Sequence, residues 1–270
     1  MIGRTAQEKR LDELVEIFRD ESGEYRDIVV PKDTEGKRRL LRSLMNVRMP
    51  KALSPDALRL QDEYLIGRVK EKGIVSLEDI PVTEGVISIW QGDITRLAAD
   101  AIVNAANSRM LGCFVPMHAC IDNCIHTYAG VQLRAECADK MARLRRIYGP
   151  GYEQPTAVPM LTEGYNLPAK KVVHVVGPIV SGRLTAENER DLAACYTNTL
   201  DLCLENGLRS VAFCCISTGV FRFPQDRAAS IAADTVRKWL SIHDGTMDRV
   251  IFNVFTDRDR KIYERIFTKT

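Results

Sequence analysis

The chain has 270 residues, of which 45% are hydrophobic and 27% charged, and its formal net charge is +2. This composition excludes collagen-like, low-complexity and wholly disordered chains, and the near balance of charge excludes a strong field that would recruit nucleic acid or membrane. No apolar run approaches the ~18 residues of a membrane span.

The opening stretch MIGRTAQEKRLDELVEIF is charged where a secretory signal is apolar, which sets the expectation of a cytoplasmic protein with reduced cysteines. Within it, Leu11, Leu14, Val15 and Phe18 recur at helical spacing and predict one amphipathic face. KRRLLRSLMNVR predicts a second short helix, with Lys37, Arg38 and Arg39 on a solvated face. Ser54 followed by Pro55 predicts an N-cap opening a third helix, DALRLQDEYLIGRVKEKG. From about Pro81 onward the pattern changes. VISIW, Ala101 to Val103, KVVHVV, SVAFCCIS and RVIFNVF are β-branched or apolar runs, and helical patterns such as ENERDLAACYTNTLDLCLENG and QDRAASIAADTVRKWLS lie between them. Strands alternating with helices predict an α/β domain with a substantially parallel sheet. The division falls at residues 1–82, helical, and 83–270, α/β.

Three motifs carry chemistry. In AFCCISTGVFRFPQDRAASIAA a buried strand running to Ile216 is followed by the turn STGVF and a helix opened by Pro224. Gly219 permits close backbone approach, and successive N–H groups in such a loop can cradle an anion; an ordinary strand–helix turn fits the same spacing. In WQGDITRLAADAIVNAANSRMLG, Asp93 leaves one strand end and Asn104 and Asn107 leave the next. A carboxylate there can accept from an exocyclic amine and an amide suits ribose hydroxyls, although Asp and Asn also favour turns for local reasons. In GCFVPMHACIDNCIH, Cys113, His118 and Cys120 offer two thiolates and an imidazole, a donor set suited to Zn²⁺. A fourth ligand could be Cys124, His126 or a distant residue, and buried packing of the same side chains is the alternative. Asp122 and His126 fall at i and i+4, on one face of a helix starting near Cys120. His174 reads as a structural histidine, the cysteines at 137, 195, 203, 214 and 215 read as core, and Phe255 ends a strand where a purine could stack.

Taken in order, GDIT, DAIVNAAN, LPAKKVVHVVGP and ISTGVFRFP over residues 85–267 resemble the macrodomain family, whose members bind ADP-ribose. The insert LGCFVPMHACIDNCIH and the helical extension are similar to its zinc-dependent subclass, microbial protein-ADP-ribose hydrolases often associated with a sirtuin-type ADP-ribosyltransferase. The resemblance implies a three-layer α/β/α fold around a mixed, largely parallel sheet, with residues 1–82 packed on it and a zinc-binding insert at 111–126. It implies Asp93 and Ile94 at the adenine, Phe255 facing it, and Ser217, Thr218, Gly219, Val220 and Phe221 around the diphosphate. It implies Cys120, Ile121, Asp122 and Asn123 along the substrate, Asn107 at the distal ribose, Zn²⁺ on Cys113, His118 and Cys120, and Asn107 and Asp122 as the catalytic pair. The expected reaction is release of ADP-ribose from a modified protein by cleavage of the side chain–C1″ bond. The alternatives are a non-catalytic ADP-ribose-binding module with structural zinc, and an enzyme acting on O-acetyl-ADP-ribose or ADP-ribose 1″-phosphate. Two departures stand out: the glycine run that ordinarily precedes the aspartate is replaced by the Cys/His insert, and Arg222 occupies a position where glycine is common, its side chain expected in solvent.

Overall fold

The computed structural model describes residues 5–268. Helix α1 (Ala6–Glu21) opens with a capping box in which Thr5 and Glu8 satisfy each other's backbone N–H groups. Asp33 caps α2 (Thr34–Val47), and Ser54 caps α3 (Pro55–Lys72), with Pro55 in the first helical turn. Leu11, Leu14, Val15 and Phe18 of α1 meet Leu40, Leu41 and Leu44 of α2 and Tyr64 and Leu65 of α3 in a small core of their own. The basic run on α2 is only in part a solvated face: Arg39 is exposed, but Lys37 bridges to Asp12 on α1 and Arg38 to Glu71 on α3. These cations join helices, which a run of like charges read along one helix does not reveal.

The remaining chain builds a six-stranded sheet. Its strands are β1 (Ile87–Gln91), β2 (Ala101–Ala106), β3 (Met160–Glu163), β4 (Lys171–Val176), β5 (Ser210–Phe213) and β6 (Arg249–Val254), in the spatial order β1-β6-β5-β2-β4-β3. Every pairing is parallel except β3 with β4, so the sheet is mixed and largely parallel. All four residues of β5 and five of the six in β4 and in β6 are buried, on both side-chain parities. Such strands need cover on both faces, which the flanking helices provide. These are α4 (Ile121–Ala129), α5 (Val131–Tyr148), α6 (Ala186–Glu205), α7 (Gln225–Ile242) and α8 (Asp257–Thr268). Among the described residues no helix is long and apolar enough to cross a membrane.

Three elements differ from expectation. The β5 ladder stops at Phe213, not Ile216, because Cys214 onward turns out of the sheet into the loop that follows. The short edge strand β3 and the charged helix α5 carried no strong periodic signal and appear only in the structure.

The helical extension is joined to the α/β unit through buried polar contacts. Arg134 on α5 donates from Nη1 to the carbonyl oxygens of Met45, Asn46 and Arg48 at 3.2, 2.9 and 2.5 Å, while its guanidinium lies over the Phe114 ring at 4.2 Å. The C-terminal carbonyls of a helix lack intrahelical partners and favour a cation, and α2 has no basic residue in its last turn. Arg134 therefore caps α2 from another part of the chain. Arg134→Leu should lower the free energy of unfolding by about 3 kcal/mol, since a buried polar group left unpaired costs roughly 1–3 kcal/mol; urea denaturation measures it.

Candidate functional site

Parallel strands bring their C-terminal ends to one edge of the sheet. The chain runs from β2 toward the β4 side and from β5 toward the β6 side, so direction switches between β5 and β2, the usual place for a ligand crevice in an α/β sheet. A cleft of about 770 Å³ opens there. Asp93 and Ile94 beyond β1, Cys120 and Ile121 at the start of α4, Ser217 to Phe221 beyond β5 and Phe255 beyond β6 all line it. These positions are far apart in sequence, yet the structure brings most of the expected residues to one wall or another; Asn107, Cys113, Asp122 and Asn123 are not among the lining residues.

The loop after β5 is built to present backbone donors. Ser217 sits at φ 65° and its hydroxyl is buried with no hydrogen-bond partner among the described residues. Gly177, at the end of β4, lets the loop pack close: a Cβ there would meet Ser217 Oγ at 2.1 Å. Phe223 N and Arg222 N close the turn on Ser217 O and Gly219 O, while no bond is made by the N–H groups of Gly219, Val220 or Phe221 among the described residues. An unpartnered hydroxyl and three free N–H groups form a concavity that suits an anion. Arg222 adopts φ 59° and is exposed, so its side chain lies in solvent as expected. Phe255 is 76% exposed at the opposite wall, an open apolar ring at the rim.

The insert places Cys113, His118 and Cys120 so that their ligand atoms lie within 4.8 Å of one another. The Cys113 Sγ–His118 Nδ1 separation is 3.5 Å. Neither suggested fourth ligand joins them. Cys124 Sγ accepts from Arg42, and His126 belongs to a separate buried group with Cys137 and His174. In that second group His174 is already engaged with Thr162 and Asn104.

Cys120 is the N-cap of α4, and Asp122 follows in its first turn. Asp122 lies beneath the cleft, 5% exposed, and does not line its wall. Its Oδ1 accepts from Asn104 Nδ2 at 2.7 Å and its Oδ2 from Asn107 Nδ2 at 3.2 Å, with His126 Nε2 3.5 Å from Oδ1. Burial pushes the Asp122 carboxyl up to about 6, opposed by Asn104, Arg134 and Asn107. Asn104 lies inside β2 and is fully buried, so it faces Asp122 and not the cleft. Asn123 likewise turns away from the cleft. Its amide donates to the carbonyls of Cys113 and Val115 and accepts from Arg42, which spends the side chain on bracing the insert.

Sequence reasoning missed the cleft residues supplied by the helical extension. Arg42 of α2 donates to His118 O at 2.9 Å and Asn123 Oδ1 at 2.8 Å. Lys72, the last residue of α3, pairs with Asp93 Oδ2 at 2.9 Å and lies 3.5 Å from the centroid of the Tyr128 ring. Nothing in the local pattern of α2 or α3 marks these two cations, because only the tertiary packing carries them to the cleft.

A macro domain family model matches residues 103–232. A "Protein-ADP-ribose hydrolase" from Treponema medium is 48% identical over 268 residues, covering 98% of this chain and all of the relative. A protein of the same name from Staphylococcus aureus (strain MRSA252) is 43% identical over 262 residues, 96% of each chain. Among solved structures, the macrodomain of Trypanosoma brucei in complex with ADP-ribose superposes with a TM-score of 0.64 at 32% identity, covering 83% of this chain and 94% of that one.

Burial raises the Asp93 carboxyl, but the hydrogen bonds from Thr95 and the Lys72 ammonium outweigh it and hold Asp93 below the usual aspartate value. A depressed carboxylate stabilises the fold fully above its unfolded-state pKa, near 3.9, and that contribution is lost as pH falls through the folded value. Lys72→Met should move the Asp93 midpoint upward in a carboxyl-carbon NMR titration, so that the contribution lost in acid is smaller and its loss is complete at a higher pH.

Proposed function

The chain belongs to the macrodomain family, and from that membership we propose that it is a protein-ADP-ribose hydrolase, cleaving the bond between a modified side chain and C1″ of the distal ribose. Protein substrates modified by a sirtuin-type transferase are the class the sequence resemblance points to. One observation carries the assignment of an enzyme over a passive binder. The thiol–imidazole–thiol triad and the buried carboxylate of Asp122 stand within a few residues of each other at the start of α4, at the same cleft.

In this reading affinity comes from the far end of the ligand. Asp93, with Ile94 beside it, accepts from the adenine amine, Phe255 covers the purine, and Ser217 to Phe221 hold the diphosphate through backbone N–H groups and the unpartnered Ser217 hydroxyl. That binding matters for rate because it fixes the position of C1″. Asn107 stands at the distal ribose. Both its amide hydrogens are used, on Gly112 O and Asp122 Oδ2, so a ribose hydroxyl donates to its Oδ1, which otherwise accepts only from Arg109 N. Asp122, held by Asn104 and Asn107, orients a water at the cleft floor and takes its proton as the water oxygen bonds C1″ and the modified side chain leaves with the electron pair of the broken bond, the proton then passing to that leaving group.

Cys113, His118 and Cys120 fit a Zn²⁺ ion. Two thiols and an imidazole converge, no fourth side chain among the described residues closes the set, and burial with Cys113 alongside pushes the Cys120 thiol up to about 12, a cost that a divalent cation offsets by favouring thiolate. When bound, the ion would supply Lewis-acid polarisation to the ribose end of the ligand.

Two measurements test the proposal. Metal analysis of purified protein should find one zinc per chain, and Cys113→Ala should lose it. In an assay of radiolabelled ADP-ribose release from carrier proteins modified on carboxylate or serine side chains, Cys113→Ala should slow turnover by at least about 100-fold, in line with the loss of a metal-site interaction. Its calorimetric Kd for free ADP-ribose should move less than about tenfold, because the adenine and diphosphate contacts remain. Full turnover by the folded, chelator-treated protein would overturn the zinc role, and tight ADP-ribose binding without turnover on any carrier would overturn the enzyme.

A further inference from the structure

His174, in the middle of β4, touches neither the cleft nor the triad, and the sequence alone marks it as structural. We propose that His174 is a positioning residue for the reaction, setting the orientation of the Asn104 amide and, through it, the carboxylate of Asp122. The inference rests on the reading of Asp122 given above.

The argument begins with register. β2 and β4 are parallel neighbours, and Asn104 pairs directly with His174. Side chains opposite each other on adjacent strands share a face, and both residues are fully buried. Asn104 Nδ2 lies 2.7 Å from Asp122 Oδ1 and 3.1 Å from His174 Nδ1. The amide nitrogen has two hydrogens and finds two acceptors. Rotated by 180°, the same amide would set Oδ1 against the carboxylate, acceptor facing acceptor. Asn104 Oδ1 has no hydrogen-bond partner of its own, so nothing on the carbonyl side holds the amide. Its orientation depends on what Nδ2 meets.

His174 Nδ1 can accept only if the ring hydrogen resides on Nε2. In that tautomer Nε2–H donates to Thr162 Oγ1 on β3, 2.9 Å away, with Cys137 Sγ a weaker neighbour at 3.8 Å. The Thr162 hydroxyl in turn has the carbonyls of Glu163 and Val172 to donate to, at 3.3 and 3.4 Å. Each hydrogen along the path therefore has one destination: Thr162 to a strand carbonyl, His174 to Thr162, Asn104 to His174 and to Asp122. A charged imidazole would place a hydrogen on Nδ1 facing the Asn104 donors; burial works against that by lowering the His174 pKa to about 3. The chain of contacts crosses three adjacent strands and ends on the carboxylate under the cleft, as second-layer hydrogen bonds do when they fix a catalytic group.

Two substitutions separate positioning from packing. His174→Asn keeps an acceptor where Nδ1 stands, whereas His174→Gln keeps a donor toward Thr162 and loses that acceptor, although Gln is nearer to His in size. On the carrier protein the wild type turns over fastest, His174→Gln should lower kcat roughly tenfold to a hundredfold, the scale of a displaced catalytic group, with KM changed less than about twofold. His174→Asn should recover most of that loss. In Asp122→Asn, adding His174→Gln should slow the reaction no further, because residues acting through one another are not additive. Nitrogen-15 NMR of the wild-type ring should report the Nε2–H tautomer, a readout independent of activity. Equal rates for His174→Gln and wild type, a slower His174→Asn than His174→Gln, or an Nδ1–H tautomer would each overturn the inference. Full turnover by Asp122→Asn would instead overturn the reading of Asp122 itself, and the link to catalysis with it.

Discussion

The segment between β2 and α4 contains no helix or strand, so its shape must be imposed by side chains that reach it from elsewhere. Two residues supply most of that constraint. Asn123 ties the carbonyls of Cys113 and Val115 to the first turn of α4, and Arg42 ties His118 O and Asn123 to α2. Asn46 adds a third tie, accepting from Met117 N and donating to Thr127 Oγ1. Irregular backbone buried without partners is costly, and here the partners come from the helical extension. The three N-terminal helices thus bury their own small core and also act as a clamp on the insert. The convergence of Cys113, His118 and Cys120 depends on that clamp, because nothing regular in the insert itself would hold three side chains together.

This dependence explains what could be read from the chain and what could not. KVVHVV reads as a buried strand and is one, and Ser54-Pro55 reads as a helix start and is one, because both signals are local. The triad could be seen because its members lie within eight residues, and the cleft loops because they follow strands. What stayed hidden is contact across long separations. Lys37 and Arg38 look like a solvated patch until α1 and α3 supply acids for them. Asn104 and Asn107 look equivalent in NAAN, yet the strand's alternation sends Asn104 into the sheet interior and leaves Asn107 beyond its end. Asn123 has the same chemistry as a ligand-binding amide, and only its position against Arg42 and the insert carbonyls gives it a bracing role.

The cleft's electrostatics follow the same logic. The chain's net charge is only +2, yet the cleft is an anion-friendly place. Free N–H groups after β5 contribute partial positive charge without any side chain, and Arg42 and Lys72 contribute full charges that are already committed, to the insert and to Asp93. A committed cation gives less attraction than a free one but keeps the carboxylate and the insert in place. The protein therefore uses these two cleft cations chiefly to shape the site, and in the proposed function recognition of the diphosphate is left to backbone.

The Cys/His insert completes the picture on the α4 side of the cleft. Glycines let backbone approach a diphosphate closely, and Gly219 still offers that on the β5 side, where a Cβ would meet nothing within 4 Å. On the α4 side the insert brings side chains instead. The one glycine conserving tight geometry there, Gly112, serves the protein and not the ligand: it sits at φ 78°, and a Cβ would strike the His126 ring at 2.8 Å. So the two walls of the cleft have divided their work. In the proposed function the β5 loop binds by backbone, and the α4 wall carries the groups capable of chemistry. Those groups are ordered from both sides, by the helical clamp above and by the Thr162–His174–Asn104 path through the sheet below.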